Sequence, residues 1–173
     1  MSEHLAAVME EHGEYCLRVA YLYVKDWAIA EEIVQDVFFA YYRQQDRFEQ
    51  RSSLKTYLVK ITVHKSHDYL RSWKNKRHLL VEKLHIGSSK RTPEKTLLAK
   101  DERKTLTLAL FGLPIPYREV VILYYYQELK VREIADILLC TENTVKTRLH
   151  RARKLLQDRL DPSEWEVIMD DSF

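Results

Sequence analysis

Two sets of cationic and hydrogen-bonding side chains recur at helical spacing in this 173-residue chain. Lys60, His64, His67, Arg71 and Lys74 are separated by four, three, four and three residues, which makes one continuous basic and imidazole stripe on a helix. Such a stripe tracks a phosphate backbone. A loop ahead of it, Phe48 to Ser53, offers an aromatic ring and polar groups that can hold an unstacked base, so its natural ligand is single-stranded DNA. In the second set, Asn143, Lys146, Thr147, His150, Arg151 and Lys154 share an outer helical face. It mixes phosphate-binding cations with side chains that hydrogen-bond base edges in a major groove. Arg148 and Arg153 flank that face and suit phosphates.

Bond-making chemistry finds no comparable support. Glu82 and His85 form one Glu-x-x-His step, whereas a di-iron site needs two such steps and two further carboxylates. His64 and His67 have no third ligand on their face. Cys16 and Cys140 stand far apart without a CxxC pair, which argues against zinc and a disulfide framework and fits a reduced cytoplasm. A Gly-rich phosphate loop and a nucleophile elbow are both absent from the sequence. The expectation is a protein that is not an enzyme, with no catalytic residue, no metal and no cofactor.

The elements that must position these sets read as helices. Leu5, Val8, His12, Tyr15, Cys16, Val19, Leu22 and Tyr23 give a first apolar stripe, closed by Asp26. In the next helix Ala30, Ile33, Val34, Val37, Phe38 and Tyr41 share one face, with Glu32, Gln35, Asp36, Phe39 and Arg43 opposite. Phe39 is thus stranded among polar neighbours, either exposed for docking or covered by the linker or another helix. Ser52 or Ser53 caps a third helix from Leu54 to about Lys74, in which Leu54, Leu58, Ile61 and Tyr69 face away from the basic stripe and Asp68 lies off it. Among Tyr57, Tyr69 and Trp73, Trp73 is the foremost candidate for supporting strand separation.

Residues 75–100 are basic and interrupted by Gly87 and Pro93, as an interdomain linker should be. Lys74, Lys76, Arg77, Lys83, Lys90 and Arg91 there either meet phosphates or belong to a solvated tether. From Asp101 the helical pattern resumes through Leu106, Leu110 and Leu113, breaks at Pro114 to Pro116, and yields four short helices. The last two cross at a tight turn, with Ile134, Ala135, Leu138, Val145, Leu149, Ala152 and Leu156 as their apolar set and Thr141 as cap of the second. The acidic tail, 161–173, centres on Trp165, Val167, Ile168 and Met169 and is either a short helix over apolar surface or a disordered end.

Composition agrees: 46% hydrophobic residues with only 3 Gly and 4 Pro favour helices over hairpins. Lys+Arg 28 against Asp+Glu 26 leaves a net charge of +2, so any nucleic-acid footprint comes from local segregation of charge. The amino terminus lacks a signal-peptide pattern and the longest apolar run, Val120 to Tyr126, is too short to span a bilayer, which predicts a soluble protein without direct membrane insertion.

The string from Pro114 to Leu156 resembles region 4 of the extracytoplasmic-function, or group IV, sigma factors of the sigma-70 family. It departs from their usual pattern at Leu139, where the turn usually has Gly, and at Asn143, which replaces Gly ahead of Thr144, Val145 and Lys146. The earlier half is similar to region 2 of that family through Ala30, Val34, Gln35, Asp36, Phe39, Phe48, Tyr57, Leu58, Ile61, Asp68 and Arg71, with His64 standing where Asn is common. The resemblance covers roughly residues 8 to 160.

It implies an all-α fold of two small helical domains joined by a flexible basic linker: a region 2 bundle over 1–74, a linker over 75–100, a region 4 helix-turn-helix over 101–160 and the tail. By the same resemblance, Glu32, Gln35, Asp36, Phe39 and Arg43 dock on the clamp helices of the largest subunit of core RNA polymerase, and region 4 meets the flap region. Phe48, Lys60, His64, His67, Arg71, Trp73 and Lys74 would hold the downstream, minus-ten element as a single strand. Asn143, Lys146, Thr147, Arg148, His150, Arg151, Arg153 and Lys154 would bind the duplex upstream element, near minus thirty-five. An anti-sigma factor is a further implied partner, and a cytoplasmic location with tethering through a membrane-bound anti-sigma factor is the implied setting. The competing reading is a helix-turn-helix repressor or activator that never binds core polymerase, which leaves Gln35, Asp36, Phe39 and the stripe of the third helix without a role.

Overall fold

A computed structural model of the chain describes residues 3–44, 52–84, 101–163 and 166, and for 75, 77–84 and 101–104 the backbone alone. The expectations placed on Phe48 and its loop, on Glu82 and His85, on the linker cations beyond Lys76 and on the centre of the tail lie outside the described side chains. All regular structure among the described residues is helical. The chain divides into two compact units, Met1–Pro93 and Glu94–Phe173.

In the first unit, α1 (Glu3–Val24), α2 (Trp27–Gln44) and α3 (Leu54–Leu84) each pack against the other two. The buried residues follow helical stripes: Leu5, Val8, Cys16, Val19, Ala20, Tyr21 and Tyr23 from α1, where His12, Tyr15 and Leu22 of the expected stripe are half-buried, and Ala30, Ile33, Val37, Phe38 and Tyr41 from α2. From α3 the buried face is Leu58, Val59, Thr62, Val63 and Ser66, two of them hydroxyl-bearing residues. Thr62 donates its hydroxyl to the Leu58 carbonyl one turn back at 2.8 Å, which satisfies the donor within the helix. Burial pushes the Cys16 thiol up to about 11 against a partial opposing pull from a hydrogen bond with Thr62, so it stays protonated and inert at neutral pH.

Two boundaries differ from the sequence expectation. Asp26 does not close α1. Lys25 ends it in the left-handed region at φ 62°, its N–H on the Tyr21 carbonyl, while the Asp26 carboxylate accepts the Ile29 N–H at 3.1 Å and so begins α2. The third helix continues ten residues past Lys74 to Leu84, because Lys, Arg, Leu, Val and Glu there are ordinary helix formers and the first breaker, Gly87, comes later. Its start is as expected, with the Ser53 hydroxyl accepting the Thr56 N–H at 3.1 Å.

The second unit comprises α4 (Asp101–Phe111), α5 (Ile115–Val121), α6 (Val131–Leu138) and α7 (Glu142–Gln157). Pro114 and Pro116 suit the first turn of α5, where a missing N–H costs nothing. At Ile122–Tyr126 the helix widens into a π turn, with the Gln127 N–H on the Ile122 carbonyl at 3.0 Å, and Glu128 at φ 54° then redirects the chain toward α6. Ala109, Leu113, Val121, Ala152, Leu156 and Leu160 form one core cluster. Leu138, expected in the helix-turn-helix core, is half-buried, and Ile137 takes the inward position instead.

Arg118 is the feature the sequence pattern does not announce. It is 5% exposed, and its guanidinium donates to the carbonyls of Leu110, Phe111 and Leu113 at 3.1, 3.1 and 3.0 Å. These acceptors lie at the end of α4 and in the turn after it, where the Leu110 carbonyl also takes the Leu113 N–H, and the next helix closes them from the side.

Two outcomes follow. Arg118→Ala removes three hydrogen bonds of a buried guanidinium and lowers stability by about 3 kcal/mol, read as an earlier thermal transition, with Arg118→Lys recovering only part because an ammonium lacks the planar fork. Iodoacetamide labels one thiol, Cys140, in the folded protein and both after unfolding in guanidinium, since Cys140 is half-buried and Cys16 fully buried.

Candidate nucleic-acid interface

The amino end of α7 is fixed before any ligand arrives. Thr141 sits in extended backbone and its hydroxyl accepts the Thr144 N–H at 3.2 Å, with Glu142 in the first turn complementing the helix dipole. Immediately before it, Leu139 ends α6 in the left-handed conformation at φ 53° and ψ 46°, the geometry for which Gly is the usual occupant. Val145, Leu149, Ala152 and Leu156 turn inward, leaving Asn143, Lys146, Thr147, His150, Arg151 and Lys154 exposed together on the opposite face. Cations and hydrogen-bonding groups so arranged on a rigid, capped helix can contact phosphates and base edges at once.

Arg148 and Arg153 are placed differently from the sequence expectation. Arg148 reaches back to the Glu119 carboxylate at 3.5 Å, and Glu119 is only 4% exposed. Arg153 donates to the Tyr125 hydroxyl and lies over the Tyr124 and Tyr125 rings, its guanidinium carbon 6.0 and 5.6 Å from their centroids. Both side chains are half-buried and clamp α7 to α5 and the π turn. Helical spacing shows which residues share an azimuth but not which neighbour waits there, so Glu119 and Tyr125 were beyond the pattern's reach.

Along α3, Lys60, Arg71 and Lys74 are exposed, as is Trp73 at 48%. The stripe is nevertheless broken by its neighbours. His67 is half-buried and makes an edge contact with Tyr23 of α1, ring centroids 5.5 Å apart, while His64 is also half-buried. Asp68, expected off the stripe, comes within 3.8 Å of Arg71 at one turn's spacing. An exposed pair of this kind contributes little and yields readily to a phosphate.

On α2 the sequence division holds on the polar side, while Val34 of the apolar side is half-buried. Glu32, Gln35, Asp36, Phe39 and Arg43 are all exposed, and Phe39 at 61% is not covered by another helix. The Arg43 guanidinium lies 5.3 Å from the Phe39 ring centroid, which holds the aromatic upright on the surface. Beside this face runs a cleft of about 290 Å³ between α2 and α3, lined in part by Glu32, Asp36, Lys65, Asp68 and Tyr69. Burial, with the charges of Asp26 and Glu32, raises the Tyr69 hydroxyl above its ordinary pKa, so the phenol remains neutral in an acidic rim. Among the described residues no group of three or more His, Cys, Asp or Glu gathers as a metal site would require.

A three-helix bundle with an acidic, aromatic-bearing face, followed by a capped helix-turn-helix with a basic outer face, defines a DNA-binding factor of two modules. Residues 8–77 match the family description Sigma-70 region 2, and residues 98–156 match Sigma-70, region 4. The chain is 32% identical over 158 residues to the RNA polymerase sigma factor SigV of Bacillus subtilis (strain 168), covering 90% of each. It is 31% identical over 140 residues to the ECF RNA polymerase sigma factor SigW of the same organism, 76% of this chain and 75% of that one. Among solved structures, the sigma factor RpoE from Bartonella quintana, crystallised with the anti-sigma factor NepR, aligns with a TM-score of 0.69 at 25% identity, over 91% of this chain and 96% of that one. The chain belongs to the sigma-70 family, in its extracytoplasmic-function group.

The two kinds of arginine and lysine on α7 separate in experiment. Arg148→Ala lowers stability by about 2 kcal/mol by removing an ionic partner of the buried Glu119 carboxylate. Lys146→Ala, on the exposed face, changes stability by less than about 0.5 kcal/mol and instead weakens duplex binding, as chemical denaturation and a DNA titration on the same two variants will show.

Proposed function

We propose that this sigma factor binds core RNA polymerase through the α2 face of Glu32, Gln35, Asp36, Phe39 and Arg43, and directs the enzyme to promoters by placing α7 in the upstream major groove. The observation that carries the reading is the pairing, in one chain, of two exposed faces of opposite character. The α2 face is a docking patch with an upright aromatic at its centre, the composition of an interface anchor. The α7 face is a groove reader. A helix-turn-helix regulator would use the second and leave the first without purpose.

The finer assignments extend this reading. The partner of the α2 face is the pair of clamp helices in the largest subunit, a basic partner for its acidic rim, and the second unit meets the flap region. Asn143, Lys146, Thr147, His150, Arg151 and Lys154 contact the upstream element, whereas Arg148 and Arg153 orient the helix that carries them. Lys60, His64, His67, Arg71, Trp73 and Lys74, with Phe48, hold the unstacked non-template strand of the downstream element, Trp73 standing at the edge of strand separation. The polymerase supplies all bond-making chemistry, so no residue here is assigned a catalytic role.

An anti-sigma factor that covers these faces is the controlling partner, supported by the likeness to a sigma factor crystallised with one. No described helix is long and apolar enough to cross a membrane. The factor works in the cytoplasm and is held at the membrane where its anti-sigma factor is itself membrane-bound.

Promoter-directed transcription with purified bacterial core polymerase tests the reading. Asp36→Arg, a reversal at an exposed position, abolishes association with core. The double change Lys146→Ala with Arg151→Ala leaves that association intact and weakens promoter binding by about a hundredfold, from two lost contacts. Undiminished transcription in both variants would sink the proposal, and duplex binding with no association with core would make the chain an ordinary helix-turn-helix regulator.

A further inference from the structure

Leu139 combines two features that work against stability in the same residue. Its side chain is 80% exposed, the highest among the large exposed hydrophobic residues described, and its backbone is held at φ 53° and ψ 46°, where an L-residue with a branched side chain is strained. Glycine would satisfy that turn without strain and without presenting an apolar group to water. The conformation is over-determined from both sides: the Leu139 and Cys140 N–H groups both bond the Ala135 carbonyl, and Thr141 caps α7 two residues later. Leu139 is therefore displayed rigidly at the amino end of the helix proposed to enter the major groove.

What it displays is a single aliphatic side chain in polar surroundings. Of the residues that lead onto α7, Thr141, Glu142, Asn143 and Lys146 are exposed and polar or charged, while Leu138 and Cys140 on either side of it are half-buried, so Leu139 is the one large apolar side chain fully presented at this turn. One aliphatic group beside cations and amides matches the apolar element of a major groove, the C5-methyl of thymine.

We propose that Leu139 is a specificity-determining residue that packs against a thymine methyl group in the upstream promoter element. This rests on α7 being the upstream reader. It assigns to the turn a discrimination that hydrogen bonds from α7 do not supply, since deleting the methyl from thymine leaves every hydrogen-bonding group of the base in place; a methyl contact made by Thr147 instead would keep the same uracil penalty in Leu139→Gly.

The test uses the holoenzyme reconstituted from core polymerase and the full chain. Duplexes are first selected from a library randomised across the upstream element, and each selected thymine is then replaced singly by uracil, which removes the methyl alone. With the wild-type chain, one such replacement weakens binding by about fourfold, the value of one buried methyl group. With Leu139→Gly the same replacement has no effect, while the melting temperature of the isolated factor rises by a few degrees as the strained backbone is relieved. Equal uracil penalties in the two proteins, or no penalty at any selected thymine, overturn the proposal. The Lys146→Ala and Arg151→Ala double variant is run alongside: if it too binds the selected duplexes normally, the failure belongs to the reading of α7 as upstream reader and not to Leu139 alone.

Discussion

The second unit depends on two neighbouring side chains of α5 that point in different directions. Adjacent residues on a helix diverge by about 100°, so Arg118 and Glu119 cannot serve the same partner. Arg118 closes the carbonyls that terminate α4, and Glu119 receives Arg148 from α7. One dipeptide thus sets both the helix that precedes α5 and the helix that carries the nucleic-acid face. Buried charge is costly unless paired, so an orientation of α4 or α7 that gave up these contacts would lose stability.

The reading helix is positioned by a chain of such constraints. Arg148 and Arg153 clamp its inner side to α5 and to the tyrosines of the π turn, Thr141 fixes where it starts, and the left-handed Leu139 fixes the angle at which it leaves α6. The π turn has a share in this, because the widened turn is what presents Tyr124 and Tyr125 in the neighbourhood of Arg153. Side chains that face solvent on α7 are consequently held in place without contributing to their own positioning, which is how an exposed face stays ready for a ligand.

The first unit separates its tasks by helix face. Three helices bury one stripe each, and α2 leaves over an acidic side on which Phe39 stands supported by Arg43. The remaining faces of α3 are less cleanly divided. Its helix packs against both α1 and α2, and Tyr23 of α1 engages His67 in the middle of the basic stripe. Lys60, Arg71 and Lys74 remain outward on either side of that contact.

Helical class, the division of α2 into two faces, the Ser53 and Thr141 caps and the exposed set on α7 were legible in the sequence, because each depends on local periodicity or on a hydrogen bond spanning three residues. The strained turn at Leu139 was visible too, through a leucine where a glycine is usual. The sequence alone placed Arg148 and Arg153 at the flank of the α7 face but gave them phosphates as partners, and only Glu119 and Tyr125 across the interface turn them inward. Nor did it indicate the burial of Arg118, the π turn, the inward Ile137 or the edge contact between His67 and Tyr23. Each of these is decided by what another helix brings to the same place, and periodicity fixes the azimuth of a side chain without naming the neighbour that meets it.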